Sequence, residues 1–329
     1  MTLGEGQTTR HFQTAWMERH KESARDLLCL AEREGREHRV RLSATSGETP
    51  GQYFTSRDVA QFMARLCSVS GDKVSILDPG AGAGILSIAL IQELTSREKR
   101  PSAIRLVAYE IDNSLVGTLS RFYTWLKERL REKRTSLEFE ILSTDFILAN
   151  AWRLESSLDF FDSIKDCESL FDVVICNPPY FKLGKEDRRA LAASSIVSGQ
   201  PNIYALFMAI AAASLKEDGE FIFITPRSYA AGPYFHAFRS WFFPRMRPEF
   251  IHLFGSRRDP FINDDVLQEN IILKARRLDN WGTGRKKKNV IVSFSQTVKG
   301  LSHPNRRKGA DGNHHCPPRS QPDPAHSNP

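Results

Sequence analysis

Blocks of apolar and polar residues alternate along the middle of the chain and predict strands and helices in turn. The short apolar runs, which have the length of buried strands, are residues 74–79, 105–112, 138–146, 171–176 and 219–226. The stretches with helical spacing of apolar residues between them are 84–94, 115–130 and 202–215. This alternation predicts an α/β fold with a doubly wound, mostly parallel sheet and right-handed crossovers.

The two ends of the chain differ from this middle. Residues 12–41 are strongly charged and carry apolar residues on one helical face, which predicts a helix that packs on the domain. Residues 43–51 are rich in Ser, Thr, Gly and Pro and predict a loop, and residues 59–67 predict a second amphipathic helix. Near the other end, residues 289–296 fit one more strand.

These patterns divide the chain into four parts. We expect an N-terminal helical segment over residues 1–44 and the main domain over 45–275. A short basic extension would follow over 276–302. Residues 303–329 contain almost nothing to bury, so we expect a disordered tail there.

Composition narrows the class of protein. The chain has 329 residues, of which 40% are hydrophobic and 26% charged, as in ordinary soluble proteins. No apolar run approaches the roughly 20 residues that cross a bilayer, and the N-terminus has no signal-peptide core, so we expect a cytoplasmic protein without a membrane partner. The five cysteines lack metal-binding spacing, so no metal site is predicted. A net charge of +7 is compatible with a polyanionic partner without requiring one.

The first chemical signal is a glycine-rich turn, DPGAGAG at residues 78–84, between a predicted strand and a predicted helix. Glycines allow a sharp turn and close approach of a ligand to the backbone, and the helix start offers free N–H groups. A tight turn that merely packs the helix on the strand is the alternative interpretation.

An acidic residue after the next strand sharpens this signal. Glu110 lies at about the distance beyond the glycines at which a carboxylate accepts hydrogen bonds from ribose hydroxyls. Asp112 is the competing candidate, since it falls on the same side of the strand if the strand extends that far. The loop and the acid together predict a cofactor that contains a nucleoside.

The most specific signal is Asn177-Pro178-Pro179-Tyr180, directly after the apolar strand FDVVIC. A Pro-Pro pair cannot continue a central strand, so the chain must leave the sheet in a rigid turn. The Asn amide and the adjacent carbonyls can then accept both N–H bonds of a planar amino group, and the Tyr ring offers a stacking face. The alternative is a purely structural turn.

DPGAGAG, AYEID, STDF and NPPY follow one another on successive predicted strands. In this order they resemble the class I S-adenosylmethionine-dependent methyltransferases that modify exocyclic amino groups, specifically the gamma-ordered N6-adenine DNA methyltransferases of restriction-modification systems. The segment GQYFTSRDVAQFM at residues 51–63 resembles the additional cofactor motif that precedes the glycine-rich loop in that group. The resemblance covers roughly residues 45–275 and implies that this part is a methyltransferase catalytic domain.

The resemblance implies S-adenosyl-L-methionine as the cofactor, with no metal. Its expected contacts run from the methionine end to the adenine end. They are Tyr53, Phe54 and Thr55 at the methionine part, Asp78, Gly80 and Gly82 at the amino-acid end, Glu110 at the ribose, and Asp145 and Phe146 at the adenine.

The resemblance also implies double-stranded DNA as the substrate, with the target adenine rotated out of the duplex. Asn177, Pro178, Pro179 and Tyr180 would hold this base, and Phe261 is a candidate for a second stacking ring, with a packed loop aromatic as the equal alternative. Arg188, Arg189, Arg257 and Arg258 either contact phosphates or form a solvated surface.

Enzymes of this group usually carry a long target-recognition region after the catalytic domain, and here little sequence follows Lys274. We therefore expect either a separate specificity subunit or cognate endonuclease as partner, or a truncated chain. Two other functions stay open: methylation of a protein glutamine or of a guanine amino group in ribosomal RNA, and a non-catalytic remnant that only binds the cofactor.

Overall fold

The computed structural model describes residues 26–46, 54–155, 170–197, 201–255, 270–278, 289–295, 301 and 305–308. The described strands are β1 (Lys73–Pro79), β2 (Ala103–Tyr109), β3 (Ser136–Leu142), β4 (Phe171–Cys176), β5 (Leu215–Pro226), β6 (Met246–Phe254), β7 (Asn270–Arg277), β8 (Ile291–Ser295) and β9 (Asn305–Lys308). The described helices are α1 (Leu27–Ser46), α2 (Arg57–Leu66), α3 (Ile85–Ser96), α4 (Asn113–Glu132), α5 (Phe146–Asn150), α6 (Trp152–Glu155), α7 (Arg188–Ala192), α8 (Ile203–Ala213) and α9 (His236–Arg245).

All described strands belong to one mixed, mostly parallel sheet in the order β3-β2-β1-β4-β5-β7-β6-β8-β9. The first five strands in this order are parallel to one another, whereas β7 runs antiparallel to both of its neighbours, β5 and β6. The α/β prediction is therefore confirmed. After β1 the chain moves to β2 on one side, and after β4 it moves to β5 on the other, so the strand order reverses between β1 and β4. A crevice opens at the carboxyl ends of such a strand pair.

The central strands and helices form the core because they are apolar on every face that meets a neighbour. All of β1 except its first residue is buried, and α8 is buried along almost its whole length. Helix α2 starts at the N-cap Ser56, whose hydroxyl accepts a hydrogen bond from the backbone N–H of Val59. Its apolar face packs on α3. Within the described residues no helix combines the length and apolar character that crossing a membrane requires.

Helix α1 extends further than the sequence pattern predicted. Leu27, Leu28 and Ala31 are buried, as the predicted helical face requires. The helix continues to Ser46, although residues 43–51 were predicted to form a loop. The part of the predicted helix before residue 26, and residues 47–53, lie outside the described residues.

The strands also differ from prediction at their ends. The third strand was predicted over residues 138–146, but β3 ends at Leu142 because Asp145 caps helix α5 and Phe146 begins it. Strand β2 ends at Tyr109, so Glu110 follows the strand. Strands β6 and β7 were not predicted.

The structure also places a strand in the tail that was expected to be disordered. Strand β9 pairs antiparallel with β8, and its backbone satisfies an edge that would otherwise be open. Strand β8 lies within the run predicted at residues 289–296 and joins the sheet through β6.

A buried ion cluster joins the amino end of β5 to β7. Glu220 is fully buried and accepts hydrogen bonds from the backbone N–H of Ser68 at 2.8 Å and from Arg276 at 2.6 Å. The Lys274 ammonium lies 3.1 Å from the same carboxylate. Burial alone would raise the pKa of Glu220. The Lys274 charge and the Ser68 hydrogen bonds together lower this pKa by more than burial raises it, so the net shift is downward. The charge is thus paired at the sheet end opposite the crevice.

His252 is a second buried polar group and joins β6 to β8. It is fully buried, with Nδ1 2.8 Å from the Ser293 hydroxyl and Nε2 2.9 Å from the Ser295 hydroxyl. Phe62 and Phe254 pack edge-on against the imidazole. Burial lowers the pKa of His252 from 6.5 to about 4, so the folded protein keeps the ring neutral.

We expect His252 to make the protein less stable in mild acid. Above pH 6.5 neither the folded nor the unfolded state protonates it, and below that pH only the unfolded state binds the proton until about pH 4. Lowering the pH from 7.5 to 5 should therefore cost about 2 kcal/mol through this residue. Urea denaturation at both pH values measures the decrease in the free energy of unfolding between pH 7.5 and pH 5. This decrease should be about 2 kcal/mol smaller in His252→Leu than in wild type. Equal decreases in both proteins would contradict the assignment.

Candidate functional site

Two loops meet at the crevice between β1 and β4. The loop after β1 contains Gly80, Gly82 and Gly84, whose φ angles are +70°, +59° and +80°. Side chains other than glycine are strained there, and a Cβ at Gly84 would lie 2.8 Å from Leu119 Cδ2. The glycines therefore allow the backbone to turn directly from β1 into α3, which begins at Ile85.

A cavity lies over these loops. Its wall is mostly aliphatic and aromatic, with a few polar side chains. The predicted site residues in the wall are Phe54, Thr55, Gly80, Gly82, Glu110, Asp145, Phe146, Asn177 and Pro179. Residues separated by more than 120 positions in the sequence thus face one cavity, as expected of a ligand site.

Glu110, not Asp112, is the acid after β2 that faces the cavity. Its carboxylate accepts hydrogen bonds from the backbone N–H of Gly82 at 2.7 Å and of Asp112 at 2.9 Å. Burial raises its pKa. The Asp112 side chain instead caps α4 and lies 3.0 Å from Nε2 of His38 on α1. The structure therefore separates the two candidates that the sequence left open.

Asp145 and Phe146 form the cavity wall beyond β3. Asp145 Oδ1 accepts a hydrogen bond from the backbone N–H of Leu148, and Oδ2 lies 3.9 Å from Arg189 Nη1. The Phe146 ring is buried against Tyr109 and Phe207, with ring centroids 5.1 and 5.2 Å apart. A flat apolar surface next to a fixed carboxylate suits an aromatic ring that carries an amino group.

Asp78 lies beneath the glycine-rich loop and not in the cavity wall. It is 1% exposed, and its Oδ2 accepts a hydrogen bond from the backbone N–H of Ser87. Burial raises the pKa of Asp78 to about 7. The resemblance implies that the Asp78 carboxyl contacts the ligand directly. Its position beneath the loop does not favour such a contact.

Asn177 links the loop after β4 to the segment before α2. Its Nδ2 donates to Thr55 Oγ1 at 3.1 Å, and its Oδ1 lies 2.7 Å from the Tyr180 hydroxyl. The Tyr180 hydroxyl is also 2.9 Å from the carbonyl of Ile224. The preceding residue, Cys176, ends β4, and its thiol donates a hydrogen bond to the carbonyl of Pro79 at the end of β1. The amide of Asn177 is thereby held in a defined orientation at the cavity.

The Tyr180 ring does not take the position predicted for it. It is 6% exposed and packs edge-on against Tyr204 in the core, and Pro178 is also buried. The ring that faces the cavity is the next residue, Phe181, with the Arg189 guanidinium 5.5 Å from its centroid. Arg189 also pairs with Asp187. Neither Phe181 nor its contact with Arg189 was predicted.

Helix α1 supplies the part of the site that the sequence pattern missed most completely. Ala31 and Glu32 lie in the cavity wall, and a Cβ at Gly35 would lie only 2.6 Å from Cδ1 of the Phe54 ring. The same edge of this ring also lies near Gly82, where a Cβ would be 3.3 Å from Cε1. An isolated glycine inside a helical pattern was the signal that could have indicated this close approach.

Some predicted site residues cannot be placed. Tyr53 and Phe261 lie outside the described residues, as do Arg257 and Arg258. Their roles remain predictions.

Residues 105–261 match the family of Eco57I restriction-modification methylases. The chain is 32% identical over 256 residues to the Type II methyltransferase M.PstI of Providencia stuartii, a match that covers 78% of this chain and 47% of the relative. It is 33% identical over 250 residues to the Type II methyltransferase M.BsuBI of Bacillus subtilis, covering 74% of this chain and 46% of that protein. The chain belongs to the Eco57I methylase family.

This member of the Eco57I family spans about half the length of these two relatives. Its fold is similar to that of a putative class I S-adenosylmethionine-dependent methyltransferase from Listeria monocytogenes. The TM-score is 0.57 at 15% identity, and the match covers 83% of this chain and 75% of that one. The predicted class I methyltransferase fold is therefore confirmed.

The contact between Gly35 and Phe54 predicts that the effect of Gly35→Ala on stability changes sign when the Phe54 ring is removed. In wild type, Gly35→Ala should destabilise the fold by about 1 kcal/mol or more, since the ring lies close to both Gly35 and Gly82. In a Phe54→Ala background the same change should stabilise by up to about 1 kcal/mol, because alanine favours the helix interior. Urea denaturation of the four proteins measures this coupling. An equal effect in both backgrounds would show that the ring does not oppose the new methyl group.

Proposed function

We propose that this protein is an adenine-specific DNA methyltransferase of a restriction-modification system, which transfers a methyl group from S-adenosylmethionine to N6 of an adenine rotated out of double-stranded DNA. The observation that carries the proposal is the oriented amide of Asn177, held beside Thr55 at the cavity that the glycine-rich loop also lines. Membership of the Eco57I family supports the same chemistry.

The cavity fits S-adenosylmethionine in the distribution of its groups. Just after β2, Glu110 offers carboxylate oxygens that can accept hydrogen bonds from ribose hydroxyls. Asp145 and the Phe146 ring offer an acceptor and an apolar face for an adenine. The positive φ angles of the loop glycines let the backbone approach the ligand closely. When bound, the cofactor supplies a methyl group that its sulfonium already activates.

Asn177 and Tyr180 together explain how an acceptor for the adenine amino group becomes available. The Tyr180 hydroxyl has two acceptors within reach, Asn177 Oδ1 at 2.7 Å and the Ile224 carbonyl at 2.9 Å. Asn177 Oδ1 has two lone pairs, so it can accept an N–H of the amino group as well as the hydrogen bond from the Tyr180 hydroxyl. The hydrogen bond from the amino group localises the nitrogen lone pair and orients the nitrogen for attack. Tyr180 would thus position Asn177 from within the core.

Phe181 gives the target base a ring to contact. It faces the cavity four residues after Asn177, whereas the Tyr180 ring is buried. Stacking of a base on an aromatic side chain typically contributes about 1–3 kcal/mol. We propose Phe181 as a ring against which an extruded adenine packs, and the stacking role predicted for Tyr180 would require that ring to leave the core.

DNA is the substrate that the relatives favour, because both are Type II methyltransferases. The net charge of +7 suits a polyanion. Sequence recognition requires surfaces beyond the catalytic domain, and this chain spans about half of each relative. We therefore propose that further protein sequence, in a longer form of the chain or in a separate specificity subunit or endonuclease, supplies target recognition.

The test is incubation of the purified protein with S-adenosyl-[methyl-³H]methionine and unmodified double-stranded DNA, followed by nucleoside analysis. We expect label in N6-methyladenine. Asn177→Ala should lower the rate by about 100-fold or more, because the amino nitrogen loses its acceptor, while the dissociation constant of the cofactor stays within about twofold. Asn289→Ala, which removes an exposed amide just before β8, is the matched control and should retain full activity.

Other outcomes would select the other functions. Label found in ribosomal RNA or in protein glutamine, but absent from DNA, would show that RNA or protein is the substrate instead of DNA. Cofactor binding by calorimetry without methylation of genomic DNA, ribosomes or release factors would indicate either a missing recognition partner or a non-catalytic protein. Equal activity of Asn177→Ala and wild type would refute the role of the amide.

A further inference from the structure

The cavity wall contains a third carboxylate besides Glu110 and Asp145, and it comes from helix α1. This residue is Glu32. Glu110 follows β2 and Asp145 lies beyond β3, so both belong to one side of the strand-order reversal. Glu32 instead lies next to the segment that carries Phe54 and Thr55. The three carboxylates therefore mark two different ends of the same cavity.

Glu32 is fixed in this position by the start of α2. Its Oε1 accepts a hydrogen bond from the backbone N–H of Arg57 at 3.1 Å, and the Arg36 guanidinium lies 3.9 Å from the same oxygen. The Asp26 carboxylate pairs with the Arg57 side chain at 2.6 Å and holds the first turn of α1 to the same helix start. Among the described residues, Oε1 makes both polar contacts of Glu32, so a group in the cavity can bind to Oε2.

The position of Asn177 determines which end of the ligand meets Glu32. If the methyl group is transferred at Asn177, the sulfonium lies near Asn177 and its hydrogen-bond partner Thr55. The adenosine part then extends towards Glu110 and Asp145, and the amino-acid part is directed to the side of Phe54 and Glu32. That part of the ligand carries an α-ammonium group, which requires anionic or neutral acceptors.

Asp78, the acid that the resemblance places at the amino-acid end, cannot fill this role directly in this conformation. It is 1% exposed and lies under the loop. Glu32 has 21% of its side chain exposed and faces the cavity. We propose that Glu32 binds the α-ammonium group of S-adenosylmethionine, which makes helix α1 part of the cofactor site. This inference rests on the proposed function, because it takes that cofactor as the ligand.

Two ligands that differ only at this end of the molecule test the assignment. S-adenosylhomocysteine carries the α-ammonium group, and 5′-methylthioadenosine lacks the whole amino-acid part. Glu32→Gln removes the charge but keeps an oxygen that can accept from the N–H of Arg57. Calorimetry should show that Glu32→Gln binds S-adenosylhomocysteine about 10- to 100-fold more weakly than wild type, with 5′-methylthioadenosine within about twofold.

Glu37→Gln is the matched control. It removes the same charge from an exposed position on the same helix, where Glu37 pairs with Arg33, and it should bind both ligands as wild type does. Thermal unfolding of each variant without ligand reports any change in the fold itself.

Four results would overturn the assignment. Unchanged affinity of Glu32→Gln for S-adenosylhomocysteine would exclude the contact. Equal losses for both ligands would show that Glu32 only shapes the cavity, and an equal loss in Glu37→Gln would show a general charge effect. If wild type binds neither ligand, the proposed function itself fails, and this assignment with it.

Discussion

The reversal of strand order between β1 and β4 is the constraint on which the site depends. Because the chain leaves β1 towards β2 and leaves β4 towards β5, the two loops at this point diverge and leave a crevice over the sheet. The glycine-rich loop and Asn177 stand at its two sides. Glu110 and Asp145 follow the next strands outward, so the order of groups along the cavity is the order of strands in the sheet. Sheet topology thus sets the direction in which an extended ligand would lie.

The crevice would be open on its upper side without the N-terminal helices. Helix α1 is held by two polar contacts, one between Asp26 and Arg57 just before its first turn and one between His38 and Asp112 near its middle. Between these contacts it places Glu32 in the cavity wall and allows Phe54 to lie against Gly35. A charged helix outside the sheet therefore acts as a wall of the site, and the Phe54 ring joins that wall to the glycine-rich loop at Gly82.

The sequence predicts the parallel strands and the loops that follow them because this information is local. A buried strand must be apolar, and the turns DPGAGAG and NPPY are chemically unable to continue a strand or a helix. The sequence pattern does not reveal contacts between distant segments. The approach of Gly35 to Phe54 and the position of Glu32 arise only when α1 packs on α2. Strand β7 was missed for a related reason, since its charged residues Lys274 and Arg276 are paired with Glu220 from β5.

The orientation of Tyr180 shows a further limit of local inference. The motif indicates an aromatic ring next to a rigid turn, but it does not show on which side of the turn the ring packs. Here Tyr204 and the Ile224 carbonyl hold the ring and its hydroxyl in the core, and Phe181 faces the cavity instead. This assignment depends on β5, which supplies Ile224, and on α8, which supplies Tyr204.

The buried acids beside the glycine-rich loop bear on the charge of the ligand that the proposed function requires. Burial raises the pKa values of both Asp78 and Glu110, so the protein alone disfavours negative charge beneath and beside the glycine-rich loop. A ligand that carries a sulfonium and an ammonium group supplies positive charge at this place and stabilises the ionised carboxylates. Proton release from these acids and cofactor binding are then coupled by linkage, because each stabilises the charge state that the other requires.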